Sequence, residues 1–466
     1  MRAAIERDIV KGLTRPIDLG GIIAAPDAGV LVPAWIIAGP TNRNVYSVGD
    51  SRTANDNTST ATTRNFQTLG LKNWAALLLK QRFFRPFVSY GIGGESTAQL
   101  LARIDSVLSG IAEGSTIKLM SGVNDRNTAN DFTLATSISN MSAILDKIFA
   151  KKCFVVIGEL PRDTGTSASG STITQAQNDN HFSYNEWLRN VVPTLWKNVR
   201  YSNTWDAAAA TIGATTQCKA GLFYDGLHLN DKGAFTGGVV DAAVFATLFD
   251  ASVSFANLAA SNADQYNAST APTGALVTNP MLTIAGGAGT VSGAAGTVVN
   301  PSSVPTGWQL VNTATGGLTI TLSAGTDADG YPEFVMQISG TPTTANATVY
   351  IAQAMNTANL APNDNISLGM REVIDAGNTG VRGLNGHVRL TGTASFVSQD
   401  MSAAGGANTG GDPFAAGFDG AILTPPAPVP AGTLTVSQIR AGVVQMDQGV
   451  AVSATIRLGR VSPRKV

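Results

Sequence analysis

Four short stretches of this chain carry residue types suited to acyl chemistry. Gly49-Asp50-Ser51 closes an apolar run, and Gly93-Gly94 precedes a helical one. Gly122-Val123-Asn124-Asp125 closes a second apolar run, and Asp225-Gly226-Leu227-His228 lies far downstream. A serine hydroxyl is a weak nucleophile until a neighbouring base takes its proton, and a neutral imidazole is the usual base. His228 is one of three histidines, with His181 and His387. Asp225, three residues before it, can turn back in a loop to orient and stabilise the ring. Each stretch alone has a plainer reading. Ser51 could be an N-cap, Gly122–Asp125 a turn, and Asp225–His228 the approach to a helix beginning near Asp231. The G-x-S-x-G elbow of α/β-hydrolases is absent around Ser51.

The elements that must position these residues are legible in the hydrophobic pattern. Strands are expected at Val45–Val48, Phe87–Tyr90, Thr116–Met120, Phe154–Ile157 and Val199–Thr204. Helices are expected at Asn73–Arg82, Thr97–Ile111, Ser137–Ala150, Asn185–Trp196 and Asp231–Leu248. Leu100, Leu101, Ile104, Val107 and Leu108 keep one face of the second helix apolar. Strands alternating with helices imply a parallel sheet covered on both faces. Ligands of such sheets sit beyond the carboxyl ends of the strands, where the serine, glycine and asparagine motifs fall.

After Asp250 the texture changes. No charged residue occurs between Asp264 and Asp327, and runs such as Leu318–Leu322 and Phe334–Ile338 alternate between Gly, Pro and Asn turns. This is an all-β pattern, a sandwich or jelly roll. The expected organisation is an N-terminal arm or attachment segment at 1–40, an α/β domain at 41–256, a linker at 257–274 and the β domain at 275–466. The stretch Pro425–Pro430 is stiff.

Composition narrows the function classes. A net charge of −1 over 466 residues gives no footprint for nucleic acid or anionic membrane. Cys153 and Cys218 make no disulfide framework, and Cys153 opens an apolar run as a buried free thiol would. Met1–Lys11 has no apolar core, so no signal peptide is read there, and Gly29–Gly39 is too short to span a bilayer. His181 with Asp179 has no further His or Cys at ligand spacing, so no metal is assigned. Asp327-Ala328-Asp329-Gly330 lacks the remaining ligands of a calcium loop and is read as a turn. Trp308, Tyr331 and Tyr350 could stack on sugars, but a core role is the simpler expectation.

Taken in order, the four motifs resemble the SGNH (GDSL) hydrolase family over roughly residues 41–250. The resemblance implies a three-layer α/β/α, flavodoxin-like domain with a parallel five-stranded sheet, beside the C-terminal all-β domain. It implies Ser51, Asp225 and His228 as catalytic residues. The oxyanion hole would be the Ser51 and Gly94 N–H groups and the Asn124 side-chain amide, without a cofactor. Arg52 stands where many members carry a small or apolar residue, which would bias the pocket towards polar substrates. Family members often remove short acyl groups from carbohydrates. Residues 275–466, with Asn279-Pro280 and Val304–Trp308, resemble β modules of phage tail proteins. The combined expectation is a virion-associated or extracellular O-acetyl esterase acting on acetylated polysaccharide of host capsule or O-antigen. Other virion proteins would be partners, and a homotrimer is compatible with that setting. A secreted bacterial acetylxylan- or pectin-type esterase with a binding module is the alternative, and a non-catalytic glycan-binding adhesin a second.

Overall fold

A computed structural model describes residues 32–127, 130–166, 172–210, 217–284, 288–293, 296–402 and 414–466. The attachment segment expected at 1–40 therefore lies almost wholly outside the described residues. What is described of it includes a short helix α1 (Ala34–Ala38), whose Trp35 packs edge-on against Phe149 and Phe154.

The chain forms β1 (Val45–Gly49), leaves it through α2 (Ser51–Ala54), and makes a hairpin of β2 (Asn57–Thr60) and β3 (Thr63–Gln67). It continues as α3 (Leu71–Leu78), β4 (Ser89–Gly91), α4 (Thr97–Ser109), β5 (Thr116–Met120), α5 (Leu134–Ala150) and β6 (Phe154–Ile157). A two-residue ladder of β7 (Gly165–Thr166) and β8 (Thr172–Ile173) precedes α6 (Gln175–Asn190), α7 (Val192–Leu195), β9 (Val199–Tyr201), α8 (Thr204–Ala208) and α9 (Asp231–Phe245).

Five strands form a parallel sheet in the order β4-β1-β5-β6-β9. This is the flavodoxin-like order, whose switch point lies between β1 and β5. Strands β1, β5 and β6 are buried at every position, which explains their continuous apolar runs. Tyr46, Val48, Ile117, Leu119, Val155 and Ile157 pack under α4, α5 and α6. Val45 and Val156 face α3 and α9. That second face also buries charge: Lys118 pairs with Asp241 at 2.6 Å, and Lys72 lies 3.7 Å from Asp56.

Several expected elements differ in extent: the helix expected at 73–82 spans Leu71–Leu78 and the strand expected at 199–204 stops at Tyr201. The helix expected at 185–196 begins at Gln175, because Thr174 and Gln177 form a reciprocal capping box there. It breaks near Pro193, which starts the separate turn α7. The strand expected from Phe87 contributes only Ser89–Gly91 to the ladder.

The C-terminal part is a two-sheet sandwich. Its strands are β10 (Thr290–Gly293), β11 (Thr297–Val299), β12 (Gln309–Asn312), β13 (Leu318–Thr326), β14 (Pro332–Gly340), β15 (Ala347–Ala354), β16 (Asn365–Ile374) and β17 (Val381–Thr391). They continue with β18 (Ser395–Ser402), β19 (Phe418–Leu423), β20 (Ala427–Pro428), β21 (Val436–Met446) and β22 (Val452–Lys465). One sheet runs β11-β13-β14-β22-β16-β19, with β20 on β16. The other runs β10-β12-β15-β21-β17-β18-β3-β2. The hairpin β2–β3, which follows the Ser51 segment, thus completes a sheet of the sandwich through parallel pairing of β3 with β18.

The two parts share one apolar core. Leu71, Trp74 and Leu77 of α3 belong to the same cluster as Phe414, Phe418 and Ile422. Arg85 forms a buried bidentate pair with Asp400 at 3.0 and 2.7 Å. Residues 257–274 lie on the sandwich, where Asp264 pairs with Arg464 at 2.6 Å and Ala259 is fully buried. Trp308 is buried with its indole N–H on the Asn279 carbonyl, and Asp327 Oδ1 caps a turn at Asp329 and Tyr331. Among the described residues no helix is long and apolar enough to cross a membrane.

Candidate active site

Ser51 leaves β1 by a turn that only glycine permits at position 49. Its φ is +150°, and a Cβ there would stand 1.8 Å from the Met120 carbonyl oxygen. Asp50 then caps α2, its Oδ1 accepting from the Arg52 N–H at 3.0 Å. Burial raises the Asp50 pKa to about 6 against the pull of Arg52. Ser51 is therefore the first residue of a helix at the carboxyl end of β1, half-buried rather than enclosed.

His228 reaches Ser51 from the loop before α9. Its Nε2 lies 2.8 Å from Ser51 Oγ, and its Nδ1 lies 2.7 Å from Asp225 Oδ2. The carboxylate fixes the tautomer: Nδ1–H donates to Asp225, which leaves Nε2 to accept the serine proton. The other Asp225 oxygen accepts the backbone N–H groups of Leu227 at 2.9 Å and His228 at 2.6 Å. Burial works against ionisation of Asp225, but the hydrogen bonds from His228 outweigh it and hold its pKa below the ordinary carboxylate value. The Asp225 side chain is 3% exposed and that of His228 is 12%, so the relay is shielded while the serine stays reachable. Tyr224 stacks on the His228 ring at 5.6 Å and 14°.

The other two histidines are elsewhere. His181 lies buried with Nε2 on the Leu160 carbonyl at 3.1 Å and its ring against Trp205. His387 sits in the sandwich, its Nε2 on Asn385 Oδ1. Burial, with Arg126 and Arg52 nearby, drives the His181 pKa well down. Burial, with Arg440 and Arg389, pushes that of His387 down to about 3.

Gly94 and Asn124 lie in two loops, after β4 and β5, that are tied to each other at the carboxyl end of the sheet. Gly94 has φ +76° and open space where a Cβ would be, in the exposed loop after β4. The Asn124 amide donates one N–H to the Glu95 carbonyl at 3.1 Å, which sets the direction of its second N–H. Asp125 ties the same two loops, accepting from the Thr97 N–H at 2.7 Å and the Thr97 hydroxyl at 2.6 Å. Glu95 is anchored in turn by Arg103. Neither the Ser51 nor the Gly94 N–H has a protein acceptor among the described residues. Preset donors of this kind are what a developing oxyanion needs.

Arg52 is not part of the pocket wall, contrary to the expectation of a polar bias. Its side chain is 1% exposed and pairs with Glu159 at 3.0 Å. It donates to three carbonyls, Leu160 at 3.1 Å, Pro161 at 3.2 Å and Leu227 at 3.3 Å. Burial drives the Glu159 carboxyl upward in pKa against Arg52. Sequence reasoning missed this clamp. Its signals were a charge beside the candidate nucleophile and a glutamate ending the apolar run Phe154–Gly158.

Residues 47–234 match the model of the GDSL-like Lipase/Acylhydrolase family. Several solved structures are similar. A lipase/acylhydrolase from Enterococcus faecalis is 17% identical, with 46% of this chain and 100% of that one covered and a TM-score of 0.34. A carbohydrate acetylesterase from Sinorhizobium meliloti is 16% identical, covering 45% and 100%, with a TM-score of 0.33. An inhibitor-bound aryl esterase from M. smegmatis is 14% identical, covering 44% and 100%, with a TM-score of 0.31. No curated protein sequence matches the chain.

Proposed function

We propose that this chain, whose residues 47–234 match the GDSL-like lipase/acylhydrolase family, is an ester hydrolase that removes short acyl groups, O-acetyl above all, from a polysaccharide. The observation that carries the reading is the unbroken relay Asp225–His228–Ser51, at 2.7 and 2.8 Å, ending on a reachable hydroxyl. His228 Nε2 takes the Ser51 proton as Oγ attacks the ester carbonyl. The oxyanion is held by the Ser51 and Gly94 N–H groups and the Asn124 amide. The imidazolium gives the proton to the departing sugar oxygen as the C–O bond breaks, freeing the sugar hydroxyl, and water activated by His228 then releases the acid.

A sandwich fused to the hydrolase sheet supports an extended polymeric substrate, and with it the setting of a tail protein at a bacterial surface. The test is acetate release from acetylated capsule or O-antigen, alongside turnover of a chromogenic acetate ester. Ser51→Ala should lower both by about 10³-fold or more. Turnover unchanged in that variant would overturn the mechanism. Turnover of the small ester without acetate release from any bacterial polysaccharide would overturn the substrate class.

A further inference from the structure

A cavity outside the relay opens between the hairpin β2–β3 and the edge strand β4. It measures ≈ 460 Å³ and is lined by Asn57, Ser59, Arg64, Phe87, Val88 and Ser89. The nucleophile's own helix fixes its place. Helix α2 lies against β4, so that a Cβ on Gly91 would stand 2.3 Å from the Ala54 nitrogen. Ser89 Oγ donates to the Thr53 carbonyl at 3.3 Å. Strand β4 rises toward the catalytic end by about 3.3 Å per residue, which puts Ser89 roughly 7 Å below Gly91. The cavity thus lies along the sheet edge, below the catalytic end of β4.

Its walls carry a particular chemistry. Arg64 is half-buried and locked in place. Its Nη1 donates to the Pro426 carbonyl at 2.9 Å, and its guanidinium sits 5.9 Å from the Phe87 ring and 5.6 Å from that of Phe396. A guanidinium has five donors and no acceptor, and no described carboxylate lies at ion-pair distance from this one. Asn57 Oδ1 is buried without a hydrogen-bond partner among the described residues, so it wants a donor such as a hydroxyl. Ser59 and Ser89 add hydroxyls, and Phe87 offers an apolar surface. A held planar cation, an orphaned acceptor and an aromatic ring together select a ligand with a carboxylate, hydroxyls and an apolar face.

We propose that this cavity is a subsite for an acidic sugar. The carboxylate of a uronate unit pairs with Arg64, a ring hydroxyl donates to Asn57 Oδ1, and the acylated neighbour on the same chain reaches Ser51. This deepens the esterase reading and rests on it.

The test uses the full chain carrying Ser51→Ala, so that binding is read without turnover. Titration with tetragalacturonate and with its fully methyl-esterified form, followed by ligand-observed NMR, should show binding of the acid at least 10-fold tighter. Adding Arg64→Gln should weaken binding of the acid by roughly 10- to 100-fold, the usual size for hydrogen bonds to charged groups, and Arg64→Lys should recover part of it. Ser59→Asp, an exposed substitution with little risk to folding, should also weaken the acid and spare the ester form. Equal binding of acid and ester, no binding of the acid, or binding indifferent to Arg64→Gln and Ser59→Asp would each overturn the proposal. Turnover of a chromogenic acetate ester by the unsubstituted chain reports on the esterase reading separately. Its absence would sink that reading whatever the sugar does.

Discussion

Replacing Arg52 by methionine separates a structural role from a positioning one. The guanidinium joins three segments: the helix carrying Ser51, the loop after β6 and the loop carrying His228. Methionine fills much of the volume but leaves Glu159 as an uncompensated buried carboxylate, a class of change that costs about 3–5 kcal/mol. It also releases the Leu227 carbonyl, one residue from His228. A displacement of about 1 Å at a reacting group costs on the order of 10²-fold in rate. Arg52→Met should therefore lower both the urea midpoint and kcat for a chromogenic acetate ester, with KM little changed. The double variant Arg52→Met/Glu159→Gln removes the stranded charge. It should regain most of the stability, yet kcat should stay about 10²-fold down, because the Leu227 carbonyl still lacks its donor. If kcat recovers together with stability, Arg52 merely holds the fold and the positioning argument fails. If Arg52→Met turns over at the unsubstituted rate, the clamp does not act on His228 at all.

Asp225→Asn should keep the fold but lower kcat by about 10⁴-fold, as expected when a triad imidazole loses the carboxylate that sets its tautomer. A near-native kcat would mean that Asp225 does not orient His228. Gly49→Ala should give little soluble protein, since its Cβ meets the Met120 carbonyl at 1.8 Å in a backbone that L-residues avoid. A well-folded alanine variant would show that the turn has an alternative path. Asp400→Asn should destabilise the whole chain by about 3–5 kcal/mol, lowering the melting of hydrolase and sandwich together, because Arg85 spans both. Separate melting of the two parts would contradict the shared core. His387 has a folded pKa of about 3, below the ordinary value near 6.5. Between those limits the unfolded chain binds a proton there that the native chain refuses, so stability falls as pH drops from 6.5 towards 3. His387→Gln should flatten that fall by about 1.4 kcal/mol per pH unit, read from denaturant midpoints at pH 6 and pH 5. An unchanged slope would show that the ring protonates inside the fold.

The site was legible because its chemistry depends on short local segments whose ends a parallel sheet aligns. Strands buried on both faces must read as apolar runs, and residues leaving their carboxyl ends converge without any need to be near in sequence. Position alone could place Ser51, Asn124 and the loop of Gly94 at one end of the sheet, whereas their grouping as one site and the choice of His228 among three histidines rested on the resemblance to SGNH hydrolases. Arg52 was misread for the opposite reason. A charged side chain beside a nucleophile looks like a pocket residue unless its buried partner is known. Glu159 and the carbonyls it shares with Arg52 lie more than a hundred residues away.

The hairpin β2–β3 was the least legible element and has the largest architectural consequence. Asn57–Gln67 holds one buried apolar side chain, Phe66, too few for either a strand or a helix period. It forms a strand because β18 presents an open edge, and backbone groups carry the pairing from Thr63 against Val397 onward. Such a ladder leaves no hydrophobic signature, and its partner lies over three hundred residues along the chain. Yet this hairpin begins six residues after Ser51 and walls the cavity beside it. The segment after the nucleophile thus has its regular structure only as the end of a sandwich sheet, so truncation after α9 would strip its pairing partner and expose Trp74 and Leu77. The sandwich is accordingly part of the scaffold that shapes the surroundings of Ser51. A version lacking residues 275–466 should be insoluble or inactive even on the smallest acetate ester, and a soluble, active truncate would refute that dependence.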